Sequence, residues 1–471
     1  MEKPKLGVFY WHNPTRLGNL ELVNNLRQEF DITLISNEEV PWISRYGDNL
    51  ITEHFGQTTE IIRKLKLHKA KNGLDGLITL SEGAVTLLAD ATSELNLRGN
   101  DPASTRAGRN KYLMRTILSE KGIPQPEFYK ASTLEEALDI ATTHFHNTTF
   151  FLKPPCIGGS SFCAKIDSIE ELQTYWNEFF EGSKVRTSKD PLFTEQFGKE
   201  GNDYYMLIEE LMTGTQFDYD DILGPLFPIF EMSVEGFIDG DTTYVYSMTD
   251  KLLPKDCKNA EEYIWRMHSR IPSKLKEVLV DRVKTINRTL NATSGCSHTE
   301  FRIEDANIDE ADIELDGKFY RARLIETALR PGGAFMQSVI ELATGYNSIR
   351  AMAYQACNMP HQEDVLYRRP TIMANLWATE SGKLKHIEGL DKILSLKEQI
   401  PAFHLYDGVG DNVLVPPEAS RGIADAVVFG KNVDLLKIPE WEIKSGNDNV
   451  YKEAEKTYLY IVDKFKAVTK K

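Results

Sequence analysis

Residues 321–335 read RARLIETALRPGGAF, an apolar run that carries Glu326 and Arg330 and then breaks at Pro331-Gly332-Gly333. In an extended strand alternate side chains share a face, so Ile325, Thr327 and Leu329 point one way and Glu326, Ala328 and Arg330 the other. Taken alone, this is a strand with an ion pair on its polar face, ended by a turn. Upstream, SHTEF places His298, Glu300 and Arg302 on one face of a second strand by the same alternation. Pairing the two strands brings Glu300 and Glu326 together. Bare carboxylates 4 Å apart repel by about 4 kcal/mol at an effective dielectric of 20. Either one stays protonated or a cation lies between them, and oxygen-only ligands with room for phosphate oxygens suit Mg²⁺.

Other pieces of the chain fit such a site. Lys111 starts a helix, and Lys153 ends a strand just before PPCIGGSS. The turn Gly158-Gly159-Ser160-Ser161 offers backbone N–H donors to anionic oxygens, and Glu209-Glu210-Leu211 closes another strand. Each is commonplace singly, since a lone lysine on a strand is usually solvated. Their order in one chain is much less so.

With 471 residues, 41% hydrophobic and 27% charged, the chain has material for three or four globular domains. A formal charge of −15 disfavours nucleic acid and anionic membranes as partners. The only basic run, KAVTKK, reads as a solvated terminus. Five scattered cysteines without a C-x-x-C pair fit reduced thiols and a cytoplasmic protein. The apolar run in MEKPKLGVFYWHNP is too short for a signal peptide or a membrane span.

KLGVFYW, DITLIS and LDGLITL read as strands alternating with helices around TRLGNLELVNNLRQEF and TTEIIRKLKLHKAKNG, which predicts a parallel α/β sheet over the first hundred or so residues. Neither G-x-G-x-x-G nor a P-loop stands between a strand and a helix, which disfavours a dinucleotide fold or a P-loop enzyme. TRAGRNKYLMRTILSEKGIPQPEF predicts a helix ended at Gly122, and TTFFLKPP and YYMLIEELMTG predict strands. LFPIFEMSVEGFIDGDTTYVYSMTDKLLP alternates around Asp-Gly turns and predicts antiparallel strands, followed by a helix near SKLKEVLVDRVKTINRTLN. The acidic stretch 304–317 mimics a calcium loop, yet Glu310 stands where the sharp turn needs glycine, so it predicts a hairpin tip. Further short strands are expected after residue 360.

LRGND, NKYLMRTILSEKGIPQP, FLKPPCIGGSS, LIEELMTG, HTEF and LIETALRPGG together resemble the ATP-grasp ligases. Within that superfamily HTE followed by IE-x-x-x-R is most similar to the L-amino-acid ligases of the bacilysin-synthetase type, which join two amino acids. The resemblance implies an α/β and α+β multidomain ATP-grasp fold. Its expected parts are an N-terminal parallel α/β domain (1–108), a small lid domain (109–207), a large domain with the metal and substrate site (208–360) and a β-rich C-terminal subdomain (361–471).

The resemblance also implies roles. Lys111 and Lys153 contact ATP phosphates, Ser160 and Ser161 belong to the loop that closes over the triphosphate, and Glu209, Glu210, Leu211 and Met212 form the hinge holding the adenine. Gln216 stands where relatives place a ribose-binding acid. Glu300 and Glu326 bind Mg²⁺, with Mn²⁺ as a substitute, and Arg330 faces the transferring phosphate as the catalytic cation. Pro331, Gly332 and Gly333 let substrate approach the backbone, and small Ala334 leaves the pocket roomy. His268, in HSRIPS, is expected to hold a substrate carboxylate or else to be a surface histidine, and Lys251 is expected near the pocket. Many ATP-grasp enzymes read Glu-x-Asn on the last metal strand; here Glu326-Thr327-Ala328 lacks that third ligand, a gap shared with the dipeptide ligases. Expected partners are amino-acid or amine substrates, with a homodimer possible. The rival readings are a biotin- or purine-type carboxylase and a nucleotide-binding module without chemistry.

Overall fold

The computed structural model describes residues 2–470 apart from 12–16, 40, 147, 216–221, 228, 255–262, 334, 363–364, 367, 416–421 and 430–447. Gln216, Ala334 and Cys257 therefore lie outside the described residues.

The strands, in chain order, begin with β1 (Lys5–Tyr10), β2 (Asp31–Ser36), β3 (Asn49–Thr52) and β4 (Gly76–Thr79). They form a parallel sheet in the order β3-β2-β1-β4. Burial on both faces explains why β1 and β2 read as unbroken apolar runs. The short β3, with half-exposed residues, has no such signature and was not foreseen.

Next come β5 (Phe128–Ala131), β6 (Phe150–Lys153), β7 (Ala164–Ile166) and β8 (Met206–Glu210), an antiparallel sheet ordered β5-β8-β6-β7. Its apolar face packs on the helices Leu134–Thr143 and Ile169–Thr187 through Ala137, Ala141, Leu172, Trp176 and Phe179. Both helices start on a hydroxyl that caps a free N–H, Thr133 onto Glu136 and Ser168 onto Glu171.

Then follow β9 (Ile229–Asp239), β10 (Thr242–Leu253), β11 (Ile264–Met267), β12 (Ser294–Asp305), β13 (Ile313–Leu315), β14 (Lys318–Ala328), β15 (Thr371–Leu376), β16 (Gly382–Glu388), β17 (Ala402–Leu405), β18 (Asn412–Val413), β19 (Ala424–Phe429) and β20 (Lys466–Lys470). Nine of them make one large sheet, β13-β14-β12-β9-β10-β11-β15-β19-β17. The remaining β18-β16-β20 form a small sheet. The strands foreseen after residue 360 are present; β15, β19 and β17 continue the large sheet, and β16, β18 and β20 form the small one. The acidic stretch forms a hairpin tip, with Asp316 and Gly317 at positive φ joining β13 to β14.

The single helix expected before Gly122 is two, Pro102–Arg109 and Lys111–Ser119. Asn110 breaks them: its backbone is extended, and its side-chain oxygen accepts from the N–H groups of Tyr112 and Leu113. That cap sets Lys111 at the first turn of the second helix, facing the large sheet. Among the described residues no helix is long and apolar enough to cross a membrane.

Candidate active site

The register of β12 against β14 places Glu300 directly opposite Glu326. A bulge follows, because Phe301 pairs with Leu324 and Ile325 is left over. The bulge re-phases β14, so Arg323 and Glu326 both share the face of Arg302 and Glu300, which unbroken alternation would forbid.

Across that face runs a row of charges. Lys251 on β10 pairs with Glu300 and stands 3.9 Å from Glu231. Arg302 bonds Glu231 at 2.6 Å and donates to the carbonyl of Met212 at 3.1 Å. The His298 ring is bracketed by two carboxylates, with Nδ1 2.5 Å from Glu235 and Nε2 2.9 Å from Glu300. Burial alone would lower the His298 pKa, but Glu235 and then Glu300 outweigh it and raise it to about 9. The Glu300 carboxyl, which burial alone would push up, is instead held well below the usual carboxylate range by Lys251 and His298.

The helix Lys111–Ser119 and the sheet β5-β8-β6-β7 supply further charges. Lys111 Nζ lies 3.1 Å from Glu326 Oε2 and donates to the carbonyl of Ile157 at 2.7 Å. Lys153 Nζ lies 2.8 Å from Glu209, whose other close partner is the wholly buried Arg115. Burial and the Arg115 charge lower the Lys153 pKa. For Lys111 burial would lower it, but Glu326, with Cys163 and Cys156 beside it, outweighs burial and raises it. Arg115 also donates to the carbonyls of Leu324 and Ile325, at 3.2 and 2.9 Å, clamping the helix Lys111–Ser119 onto the bulge.

Glu210 pairs with Arg323, and the N–H of Thr213 donates to Glu304 at 2.7 Å. Segment 209–212 is thus held by the side chains of Glu209 and Glu210 and by the carbonyl of Met212, with the backbone of Leu211 between. In the Gly-Gly-Ser-Ser loop, Gly159, Ser160 and Phe162 take positive φ values of 69°, 52° and 56°. Ser161 Oγ accepts from Arg186 at 2.9 Å.

Arg330 follows the end of β14. Its Nε pairs with Glu82 and its Nη1 donates to the carbonyl of Pro331 at 2.7 Å. Its Nη2 has no hydrogen-bond partner among the described residues. Gly332 lies against the His298–Glu235 pair: a Cβ there would stand 3.2 Å from both Glu235 Oε2 and His298 Nδ1, and 2.3 Å from Met336 Sδ. His268 is buried, its Nε2 3.2 Å from the carbonyl of Ala343 in the helix Met336–Thr344. It is therefore not the surface histidine that was one of its two readings.

The structure thus sets Glu300 opposite Glu326, Lys111 against Glu326, and Lys153 against Glu209, with Arg115 and Arg323 tying Glu209 and Glu210 of β8 to the nine-stranded sheet. Sequence reasoning missed Glu82 and Glu235. Glu235 alternates with Glu231 in FEMSVEG, a signal of shared face but not of partner. Glu82 lies after β4 in a different sheet, where no sequence pattern ties it to Arg330.

Glu82 bridges Arg330 and Arg109, the latter at 3.0 Å, and Arg109 continues to Asp190. Burial would raise the Glu82 carboxyl, yet Arg330 and Arg109 bring it down to about 2 from an ordinary 4.5. A depressed carboxylate contributes stability above its unfolded-state value and loses it as pH falls through its folded value. The difference in urea midpoint between the wild type and Glu82→Gln should therefore be constant above about pH 4.5 and close between 4.5 and 2. A gap that persists at the acid end would contradict this pairing.

Among the described residues no cluster of three or more His, Cys, Asp or Glu side chains is arranged to hold a metal. The two-carboxylate set nevertheless fits Mg²⁺. Lys251 and His298 both engage Oε1 of Glu300, and Lys111 engages Oε2 of Glu326. Each carboxylate keeps one oxygen unpartnered among the described residues. Mg²⁺ retains water and takes phosphate oxygens readily, so two such ligands suffice.

The arrangement of these sheets, similar over the whole chain to solved ATP-grasp enzymes, is the ATP-grasp fold. No protein-family model matches the sequence. The structure is similar over 100% of both chains to the L-amino acid ligase from Bacillus licheniformis, with a TM-score of 0.74 and 17% identity. It is also similar to N5-carboxyaminoimidazole ribonucleotide synthetase from Thermotoga maritima, over 99% of this chain and 100% of that one, at a TM-score of 0.62 and 16% identity. A third is the biotin carboxylase domain of Hydrogenobacter thermophilus 2-oxoglutarate carboxylase in complex with MgADP, ADP and bicarbonate, over 97% of this chain and 98% of that one, at 0.59 and 12%. In sequence, the uncharacterized protein y4rH of Sinorhizobium fredii (strain NBRC 101917 / NGR234) is 23% identical over 403 residues, 82% of this chain and 72% of that protein.

Proposed function

We propose that the protein is an ATP-dependent, ADP-forming ligase that joins the carboxylate of an amino acid to a second amine, forming a peptide or amide bond. The observation that carries this reading is the register of Glu300 opposite Glu326 beneath Lys111. Two carboxylates with spare oxygens then lie beside Lys111, with a second buried lysine, Lys153, held nearby by Glu209. Mg²⁺, or Mn²⁺ in its stead, supplies neutralisation of phosphate charge when bound.

The chain's own groups do the rest. Lys111 and Lys153 orient the triphosphate, and the backbone of the hinge 209–212 receives the adenine. The substrate carboxylate oxygen attacks the γ-phosphorus as the bond to the ADP oxygen breaks, giving an acyl phosphate. The second amine attacks the carbonyl carbon, loses a proton and expels inorganic phosphate. Arg330, always protonated, balances charge on the transferring phosphoryl group and then on the tetrahedral oxyanion. The Pro331-Gly332-Gly333 turn forms the substrate side of the pocket. His268 is buried behind that turn's helix, and we give it a supporting role there, in place of direct contact with a substrate carboxylate.

The amino-acid reading draws support from Glu326-Thr327-Ala328 and from the likeness to the Bacillus ligase. A carboxylase reading is favoured by the other two likenesses. A phosphate-release screen with ATP, Mg²⁺ and all pairs of amino acids decides between them. Amino-acid-dependent release with a condensed product by mass is expected, whereas release that depends on bicarbonate alone would replace this reading with the carboxylase.

A further inference from the structure

Glu235 on β9 is wholly buried, and its one hydrogen-bonding partner among the described residues is His298, directly opposite on β12. Its second oxygen, Oε2, is buried without any hydrogen bond. An uncompensated polar atom at such depth is unfavourable, and an apolar pair would fill the same space at less cost. Stability of the fold therefore does not explain the residue.

What Glu235 does accomplish is visible one step further on. His298 uses Nδ1 on Glu235 and Nε2 on Glu300 Oε1, so the ring cannot rotate or shift without breaking a contact at both ends. Lys251 lands on the same Glu300 oxygen. The outcome is a Glu300 carboxylate locked by one oxygen, with the other left over and directed by the lock. Gly332 closes the array from above, since a side chain there would press on both Glu235 Oε2 and His298 Nδ1.

We propose that Glu235 is a positioning residue which, through His298, fixes the oxygen that Glu300 presents to the divalent cation. This rests on Glu300 being the metal ligand of the ligase reading above. Carboxylate–histidine pairs that orient a neighbouring ligand have a recognised effect, a loss of about 10–100-fold in metal affinity when the outer partner is removed.

The test is calorimetric titration of ADP into the full-length protein with and without Mg²⁺. Mg²⁺ should tighten ADP binding to the wild type. Glu235→Ala should lose about 10–100-fold of that metal-dependent tightening, with metal-free ADP affinity unchanged. Glu235→Gln, whose amide oxygen can still accept from Nδ1, should recover most of it. Should Glu235→Ala fail to fold, His298→Ala breaks the same link and should show the same selective loss. Wild-type metal dependence in a folded Glu235→Ala overturns the proposal, and so does an equal fall in metal-free affinity, which would mark a merely structural role. Absence of any Mg²⁺ effect in the wild type overturns it together with the metal assignment. Hydroxylamine trapping of the acyl phosphate tests the ligase reading separately: no hydroxamate from any amino acid, alongside the selective loss in Glu235→Ala, would remove the ligase reading and support this one.

Discussion

Arg330→Ala is expected to lower turnover by about 10²–10³-fold, the usual consequence of deleting one preorganised charge that stabilises a transition state, while ATP affinity changes little. The asymmetry follows from placement. The phosphate and adenine contacts we propose come from Lys111, Lys153 and the hinge, none of them on β14. Arg330 stands just past the end of β14, steadied by Glu82 and the carbonyl of Pro331, with Nη2 unengaged among the described residues. A guanidinium held on two sides can offer its third nitrogen to a developing charge without reorganising. Arg330→Lys should restore little, because an ammonium cannot keep those two contacts and reach a third partner in the plane of a fork. Nucleotide affinity by calorimetry and turnover by phosphate release are the measurements. Unchanged turnover, or ATP affinity falling in parallel with it, would sink the assignment.

Glu209→Ala should give the largest loss of stability of any single change at the site, about 3–5 kcal/mol, as for breaking a buried ion pair from one side. Glu209 is 2% exposed and sits between Arg115, 0% exposed, and Lys153, 4% exposed. Without it two buried cations face each other, and the lysine is already pushed toward its neutral form by burial and by Arg115. Glu209→Gln should cost less, since its amide oxygen still accepts from one partner. The combined Arg115→Met and Glu209→Met change should be milder than Glu209→Ala alone, because it leaves one buried cation, the lysine already pushed toward its neutral form, instead of two. Urea midpoints of the three variants check this ordering. If Glu209→Ala were as stable as the wild type, the pairing would not be what holds the end of β8.

The two carboxylates, both lysines, the Gly-Gly-Ser-Ser turn and most strands and helices were legible in the sequence. Periodicity and turn chemistry are local, and each of these features declares itself within a dozen or so residues. The break at Asn110 was legible only as a helix start at Lys111; that the helix before it ends there was not, although Asn is a favoured cap, because the polar run on either side continues the helical pattern. Nor was the course of the C-terminal strands, whose alternation says that one face is buried but not which sheet buries it.

Glu82, Glu235 and the bulge mark the boundary most clearly. The amino-acid order alone determined which side chains on β12 and β14 share a face locally, since that depends only on the two-residue period of an extended chain. Three things were decided by tertiary structure: that Arg323 and Glu326 lie together across the Ile325 bulge, that Glu235 lies under His298, and that Glu82 from another sheet meets Arg330. Register and contact between remote segments are set by how whole sheets pack, a balance of many weak interactions that no short stretch of sequence contains.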